Sequence, residues 1–367
     1  MTAQLRLANK RIRLQRPVDD SSLKCCVFAE GDLLELSLPS YRCRHDLQGS
    51  CIMCNYGTGA KHKLNTWQIT QQLNLIKRQI SQNFHTLLLS TNGSILDRHD
   101  VGKNILEEVY KIAENLTFET IIIETHLDTL SQEKLSSLRS RFPKKQIILE
   151  IGLESSNSFV QEYCFLKNIP LEQVQWLLKI ASNYNIGIQV NVILGAPFLS
   201  RAEQIEDAEK TIRWVLDKGA LVALFPMNIK PFTLLNFAFQ NNIYAPISHW
   251  AVPILLSHFT GDELERIDLA WYGNREIRYD NPDIVTTLPI DCELCRDILL
   301  HFYQAYVLAK NGNARHNAVE KVLCSSRCDC LNTVLSSLNV CQAEQLDIRV
   351  KRLHERLICL LKKESVI

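Results

Sequence analysis

Apolar runs of strand length alternate with helically spaced apolar positions from about residue 32 to residue 240. The first run, Asp32–Leu38, reads DLLELSL, and Thr86–Ser90, Thr120–Glu124, Gln146–Ile151, Ile186–Leu194 and Leu221–Phe225 follow it. Between the runs, Ile69, Leu73, Ile76 and Ile80 recur at the spacing that makes one face of a helix apolar. Ile105–Ala113, Leu171–Ala181 and Ala202–Lys218 repeat that pattern, and Pro170 stands where a first-turn proline belongs. Several runs are rich in Ile, Leu and Val without clean alternation. Strands buried on both faces read this way, and helices between them make the strands parallel. Six strand–helix units predict an α/β fold, a partial (β/α)6 barrel, with a doubly wound open sheet as the second choice.

In either architecture the C-terminal strand ends and the loops after them form the active face. Polar and Gly-bearing residues fall there: Ser90 to Ser94, Glu124 to His126, Glu150 to Glu154, Gly195 to Pro197 and Pro226 to Asn228. Past about residue 245 the pattern changes. Trp250–Phe259, Cys292–Leu308 and a stretch within Thr333–Leu361 look helical, and Tyr272–Asp291 is loop-rich. The chain thus divides into a basic N-terminal segment, 1–30, a barrel core, 31–245, and a mostly helical, cysteine-rich C-terminal region, 246–367.

The balance of 46% hydrophobic and 22% charged residues excludes disorder, collagen and coiled coil as whole-chain readings. No apolar run approaches the ~18 residues that span a bilayer, and no signal-type segment opens the chain. A cytoplasmic protein with no membrane partner is expected. The net charge of +1 provides no global field for nucleic acid, so an RNA partner needs a local patch. Arg6, Lys10, Arg11, Arg13 and Arg16 precede the first acid, Asp19. They read as a solvated start, a phosphate-facing arm or a targeting segment.

Thirteen cysteines change the picture, because an odd number without a secretory signal points to metal or redox chemistry. Cys164, Cys341 and Cys359 stand alone and read as packing residues. Cys43, Cys51 and Cys54 lie within one loop after the first strand. Structural zinc wants four closed ligands, with His45 or His62 available as a fourth. A [4Fe–4S] cluster on three thiolates leaves one iron open to a substrate group, and a loop at the active mouth favours the cluster.

The C-x7-C-x2-C loop, followed by Tyr56 and placed after the first strand of a six-unit barrel, resembles the radical S-adenosylmethionine (SAM) superfamily. The usual spacing there is C-x3-C-x2-C. The longer loop is similar to the branch that contains the archaeosine-pathway radical SAM lyase and the radical SAM subunit of Elongator. Thr91–Asp97 (TNGSILD), Ile151–Ser155 (IGLES), Ala196–Leu199 and Tyr244–Trp250 also look familial, and the likeness covers roughly residues 30–335. The resemblance implies that the open iron chelates the methionine end of SAM. It puts Asn92 and Gly93 near the SAM amino group, although the family's usual Gly-Gly-Glu glutamate is missing here. It puts Glu154 at the ribose hydroxyls, Tyr56 near the adenine, and backbone near Gly195 and Pro226 against the adenine. Glu124 joins the cofactor-binding set, and an external electron donor such as a flavodoxin or ferredoxin is implied.

Cys292 and Cys295, with Cys328 and Cys330 about thirty residues on, suit a four-thiolate zinc site. An auxiliary iron–sulfur cluster and a substrate site are the other readings, and Cys324 lies nearby. The functional expectation is a radical SAM enzyme acting on a tRNA base or a small metabolite. Transfer of a 3-amino-3-carboxypropyl group to a soft or small acceptor is the alternative within enzymes. A zinc-stapled RNA-binding scaffold without catalysis is the alternative outside them.

Overall fold

The structure is a computed structural model that describes residues 1–15, 25–30, 32–38, 43–55, 66–79, 84–270, 292–325, 329–339 and 344–367. Among the described residues, eight strands form one sheet in sequential order: β1 (Cys26–Glu30), β2 (Leu33–Leu38), β3 (Thr86–Thr91), β4 (Thr120–Thr125), β5 (Gln146–Glu154), β6 (Ile186–Leu194), β7 (Leu221–Pro226) and β8 (Ile267–Leu269). β1 pairs antiparallel with β2, and every later pair is parallel. The seven parallel strands, with helices between them, make the expected half-barrel. The continuous apolar runs have the predicted cause: β3 buries every residue but its first, and β6 leaves only Gly187 exposed.

The helices are α1 (Thr2–Leu14), α2 (Arg44–Leu47), α3 (Thr66–Gln79), α4 (Lys103–Glu114), α5 (Gln132–Arg141), α6 (Leu171–Ser182) and α7 (Arg201–Asp217). α8 (Leu234–Gln240), α9 (Ala251–Leu256), α10 (Gly261–Leu264), α11 (Glu293–Val307), α12 (Gly312–Leu323), α13 (Cys330–Leu338) and α14 (Leu346–Lys363) follow. Their starts obey local chemistry. Ser200 and Glu203 form a reciprocal capping box on α7, and Thr260 and Glu263 do so on α10. No helix among the described residues is long and apolar enough to cross a membrane.

Two apolar cores result. The larger lies between the sheet and its covering helices and takes in Tyr303 and Tyr306 of α11. The smaller gathers Leu5, Ala8 and Ile12 of α1 with Leu234 and Leu235 of α8 and Val350 and Leu357 of α14. Ile52, from the cysteine loop, is buried in it. Within the described part of the N-terminal segment α1 is packed: its Asn9 and Arg13 are buried, while Lys10 and Arg11 stay exposed.

Two strands were not foreseen. β1 pairs with β2 as a hairpin, and β8 is three residues long. β8 comes from the segment expected to be a separate helical region, and α11 fastens it: the Tyr306 hydroxyl donates to the Ile267 carbonyl at 2.9 Å. Arg315 of α12 adds bonds to the Ile267 carbonyl and to Asp268 at 2.7 and 2.8 Å. The helical stretch 333–361 divides into α13 and α14. Tyr56, His62, Tyr272–Asp291, Cys328 and Cys341 lie outside the described residues.

β5 ends next to a buried carboxylate that costs stability. Asp207 of α7 accepts a bond from the Ser155 hydroxyl at 2.8 Å, while its other oxygen is buried without a partner. Burial pushes Asp207 up to about 6. A raised carboxyl pKa means the folded state holds the proton more tightly, so stability falls as pH rises from the unfolded value, near 4, through 6. Asp207→Asn is expected to gain on the order of 2 to 3 kcal/mol at pH 7. The gain should vanish below about pH 4 in urea titrations across that range.

Candidate active site

The three loop cysteines flank α2: Cys43 precedes the helix, and Cys51 and Cys54 follow it. Cys43 is buried, Cys51 and Cys54 are half-buried, and all three line one cavity of about 640 Å³. Cys51 adopts a left-handed backbone, φ 59°, and the Cys54 amide donates to the Cys51 carbonyl at 2.9 Å. Both residues of this tight turn line the cavity.

A loop without a strand ladder must find partners for its backbone groups elsewhere. The Ile52 amide donates to the Phe165 carbonyl at 3.0 Å, and the Ile52 carbonyl accepts from Leu235 at 3.1 Å. α1 supplies further partners. Arg13 donates to the carbonyls of Ser50 and Cys51 at 2.7 and 2.6 Å. The Asn9 amide donates to the Gly49 carbonyl at 3.0 Å, and its oxygen accepts from the Leu234 amide at 3.0 Å. Gly49 allows this contact: at φ +77° it packs so closely that a Cβ would meet the Arg6 carbonyl oxygen at 2.1 Å.

Burial pushes the Cys43 and Cys51 thiols up to about 12. Buried cations face them. Burial lowers the Arg13 pKa, and the Cys54, Cys51 and Cys43 sulfurs act against that. The Lys167 ammonium, bonded to Glu154 at 2.6 Å, also faces Cys51 and Cys43. Burial opposes its charge, but Glu154 and then Cys51 outweigh the burial and raise its pKa.

The donor set fits an iron–sulfur cluster better than a single ion. Among the described residues, the groups whose three ligand atoms all lie within 4.8 Å of one another do not include Cys43, Cys51 and Cys54. A tetrahedral zinc about 2.3 Å from each sulfur would hold them roughly 3.8 Å apart. Sulfurs more widely spread around one cavity suit separate corners of a multi-iron cluster.

Glu154 and Lys167 depend on a local irregularity. The β5–β6 register shifts between Gly152 and Glu154, and Glu154 takes φ 72°. Lys167 also donates to the Gly152 carbonyl at 2.9 Å. A Cβ on Gly152 would lie 2.7 Å from the Glu154 carboxylate and 3.0 Å from the Lys167 nitrogen, so glycine makes room for the pair.

The other strand ends complete the cavity. Asn92, Gly93, Glu124, Glu154 and Pro226, all expected from the sequence, line it. Gly195 does not: it packs against Ile247 and Met227, and its carbonyl accepts from the Tyr244 hydroxyl at 3.1 Å. Glu35 and Glu150 line the cavity too, and Glu124 and Glu150 are register partners on β4 and β5. Glu35 accepts from the Ser90 hydroxyl at 2.8 Å. Sequence reasoning had no route to Lys167 and Glu35, which lack a spacing motif.

On the cysteine side, His45 joins His126 and Asp128 rather than the three thiols. Its nitrogen lies 3.6 Å from Asp128, and the His126 Nε2 lies 3.9 Å from the Cys43 sulfur. Burial lowers His126 to about 3, so it is neutral. Arg44 bridges Asp97 and Asp128 at 2.5 and 3.3 Å. This ties the TNGSILD segment to the cysteine loop. Ser94 of the same segment bonds Thr125 at 2.8 Å and Thr129 at 3.0 Å.

The contact between α1 and the cysteine loop can be isolated with two glycines. Gly219 also has positive φ, +80°, but nothing lies within 4 Å of a Cβ there. Gly219→Ala is expected to cost about 1 to 2 kcal/mol for its backbone alone. Gly49→Ala should cost clearly more and expose α1 to proteolysis, as read from urea midpoints and timed digestion. Equal costs for the two would contradict the packing described.

No family model matches the chain. An uncharacterized protein of Methanocaldococcus jannaschii is 24% identical over 233 residues, 61% of this chain and 64% of that protein. The chain thus matches less than two thirds of that relative's length. The archaeosine synthase subunit beta of Thermococcus kodakarensis is 24% identical over 234 residues, 62% of this chain and 72% of the relative. Among solved structures, methylornithine synthase aligns at 14% identity with a TM-score of 0.48, covering 100% of this chain and 92% of that one. The chain is thus similar to archaeosine synthase beta subunits, at 24% and 22% identity over 62% and 60% of its length, and its cysteine loop lines the cavity at the parallel strand ends.

Proposed function

We propose that this chain is a radical SAM enzyme that holds a [4Fe–4S] cluster on Cys43, Cys51 and Cys54 and binds SAM in the adjoining cavity. The observation that carries the reading is the convergence of those three thiols on one cavity at the strand ends. When bound, the reduced cluster supplies the electron that breaks a carbon–sulfur bond of SAM. The chain's own part is to bind, orient and charge-match.

The cavity's size falls within the range that encloses a cofactor-sized ligand. Its charge suits SAM, which carries a sulfonium and an ammonium cation and one carboxylate. Glu35, Glu124, Glu150 and Glu154 line the cavity with carboxylates. Opposite charges in a partly dry cavity attract strongly, so these carboxylates favour the two cations. Lys167 supplies the matching positive charge for a carboxylate. Glu154, held by Lys167, keeps acceptor oxygen for a ribose hydroxyl. Asn92 and Gly93 at the end of β3 and Pro226 at the end of β7 flank the ligand from distant strands.

The reaction's partner is a hydrogen-bearing substrate over the cavity mouth. The archaeosine-side resemblance makes a modified tRNA base the first class to test, and a small metabolite the second. A flavodoxin or ferredoxin fits the role of electron donor.

The anaerobic protein should be brown and, with dithionite, convert SAM to 5′-deoxyadenosine. The combined variant Cys43→Ala, Cys51→Ala and Cys54→Ala should stay folded but lose both colour and turnover. Turnover retained by that variant refutes the assignment. Methylthioadenosine as the product would mean 3-amino-3-carboxypropyl transfer instead, and a colourless, iron-free wild type would mean a scaffold. Lys167→Met should keep its iron while SAM binding weakens about tenfold or more, the loss of one buried charge-assisted contact. Equilibrium dialysis with labelled SAM measures this.

A further inference from the structure

A second set of thiols, none of them among the cavity-lining residues, converges on the C-terminal helices. Cys292 caps the start of α11, Cys295 lies in its first turn, and Cys330 opens α13. Their three sulfurs all lie within 4.8 Å of one another. Cys295 is buried, Cys330 half-buried and Cys292 exposed.

This geometry differs from that of the first cysteine set in the property that separates one ion from a cluster. Sulfurs around one tetrahedral ion stand roughly 3.8 Å apart. The second set meets that compactness, and the first does not. All three residues also sit at helix N-termini, where unpaired amides and the helix dipole favour a thiolate. A soft divalent ion with a tetrahedral preference suits thiolates at that spacing.

We infer that Cys292, Cys295 and Cys330 bind a single thiophilic ion of the zinc class, and that this ion staples α13 to α11. The two helices differ in what else holds them. α11 buries Leu299, Phe302, Tyr303 and Tyr306 in the main core. α13 is nine residues long and buries only Leu331 and Val334. So short a helix is marginal without outside support, and the ion provides it at the first residue. Cys328, expected from sequence as a further ligand, lies outside the described residues, and the inference stands on the other three. Binding releases the thiol protons and couples metal affinity to folding of this segment. The site is independent of the reading of Cys43, Cys51 and Cys54.

The test uses the full chain purified anaerobically with zinc and iron supplied. About one zinc per chain is expected beside the iron of one cluster. Cys292→Ser and Cys330→Ser, at the more accessible positions, should lower zinc occupancy at least tenfold with iron unchanged. Hydrogen exchange should then quicken in α13 and remain slow in β3 to β7. Replacing zinc by cobalt in the wild type should yield the intense thiolate-to-cobalt absorption of a tetrahedral site, a readout that needs no variant. Unchanged zinc in both variants would overturn the inference. So would iron and sulfide beyond one cluster that disappear in the variants, which means an auxiliary cluster. A metal-free wild type with these thiols oxidised to a disulfide would overturn it as well.

Discussion

A loop that carries three thiols into a protein interior has no ladder of its own, and its carbonyls must be bonded from elsewhere. Here a single buried guanidinium bonds two of them. Arg13 takes the carbonyls of Ser50 and Cys51, and Asn9 one turn earlier takes Gly49. Buried carbonyls left unbonded cost about 1 to 3 kcal/mol each, so the loop's path depends on α1. On the proposed reading, the same guanidinium puts a fixed positive charge beside three sulfurs that would ionise on binding a cluster. The N-terminal helix is thus a structural half of the site, with Gly49 as the point of closest approach.

The second fixed point is the Lys167–Glu154 pair. Taking both charges out of water is expensive, and such pairs seldom add net stability. Its geometry nonetheless requires a register shift in β5, a left-handed Glu154 and a glycine at 152. Strained backbone kept at a cavity wall indicates a functional constraint. The pair holds a cation between the carboxylates of β2, β4 and β5 and the cysteine loop. On the proposed reading, Lys167 sets a positive charge against the carboxylates of the cavity wall.

The parallel strands were legible because burial on both faces leaves a continuous apolar run that only a covered sheet explains. The cysteine loop was legible because ligand spacing is local. Arg13, Asn9 and Lys167 were not. Arg13 bonds residues 37 and 38 positions away, and Asn9 reaches Leu234 across 225. The basic residues of α1 looked like a solvated start because charge alone says nothing about which one turns inward. β8 escaped because three residues carry no period, and its identity comes from β7, Tyr306 and Arg315. Gly195 was expected at the cavity from its place after β6. The Tyr244 hydroxyl occupies its carbonyl instead.

On the proposed reading, the cavity beside Cys43, Cys51 and Cys54 places SAM against an iron of a site-differentiated cluster. Electron paramagnetic resonance of the dithionite-reduced, iron-reconstituted protein tests it directly, before any substrate is known. The account predicts the signal of a reduced [4Fe–4S] cluster whose line shape changes when SAM is added, and no such signal from a chain lacking the three thiols. A reduced-cluster signal indifferent to saturating SAM, or its absence from fully reconstituted wild type, would contradict it.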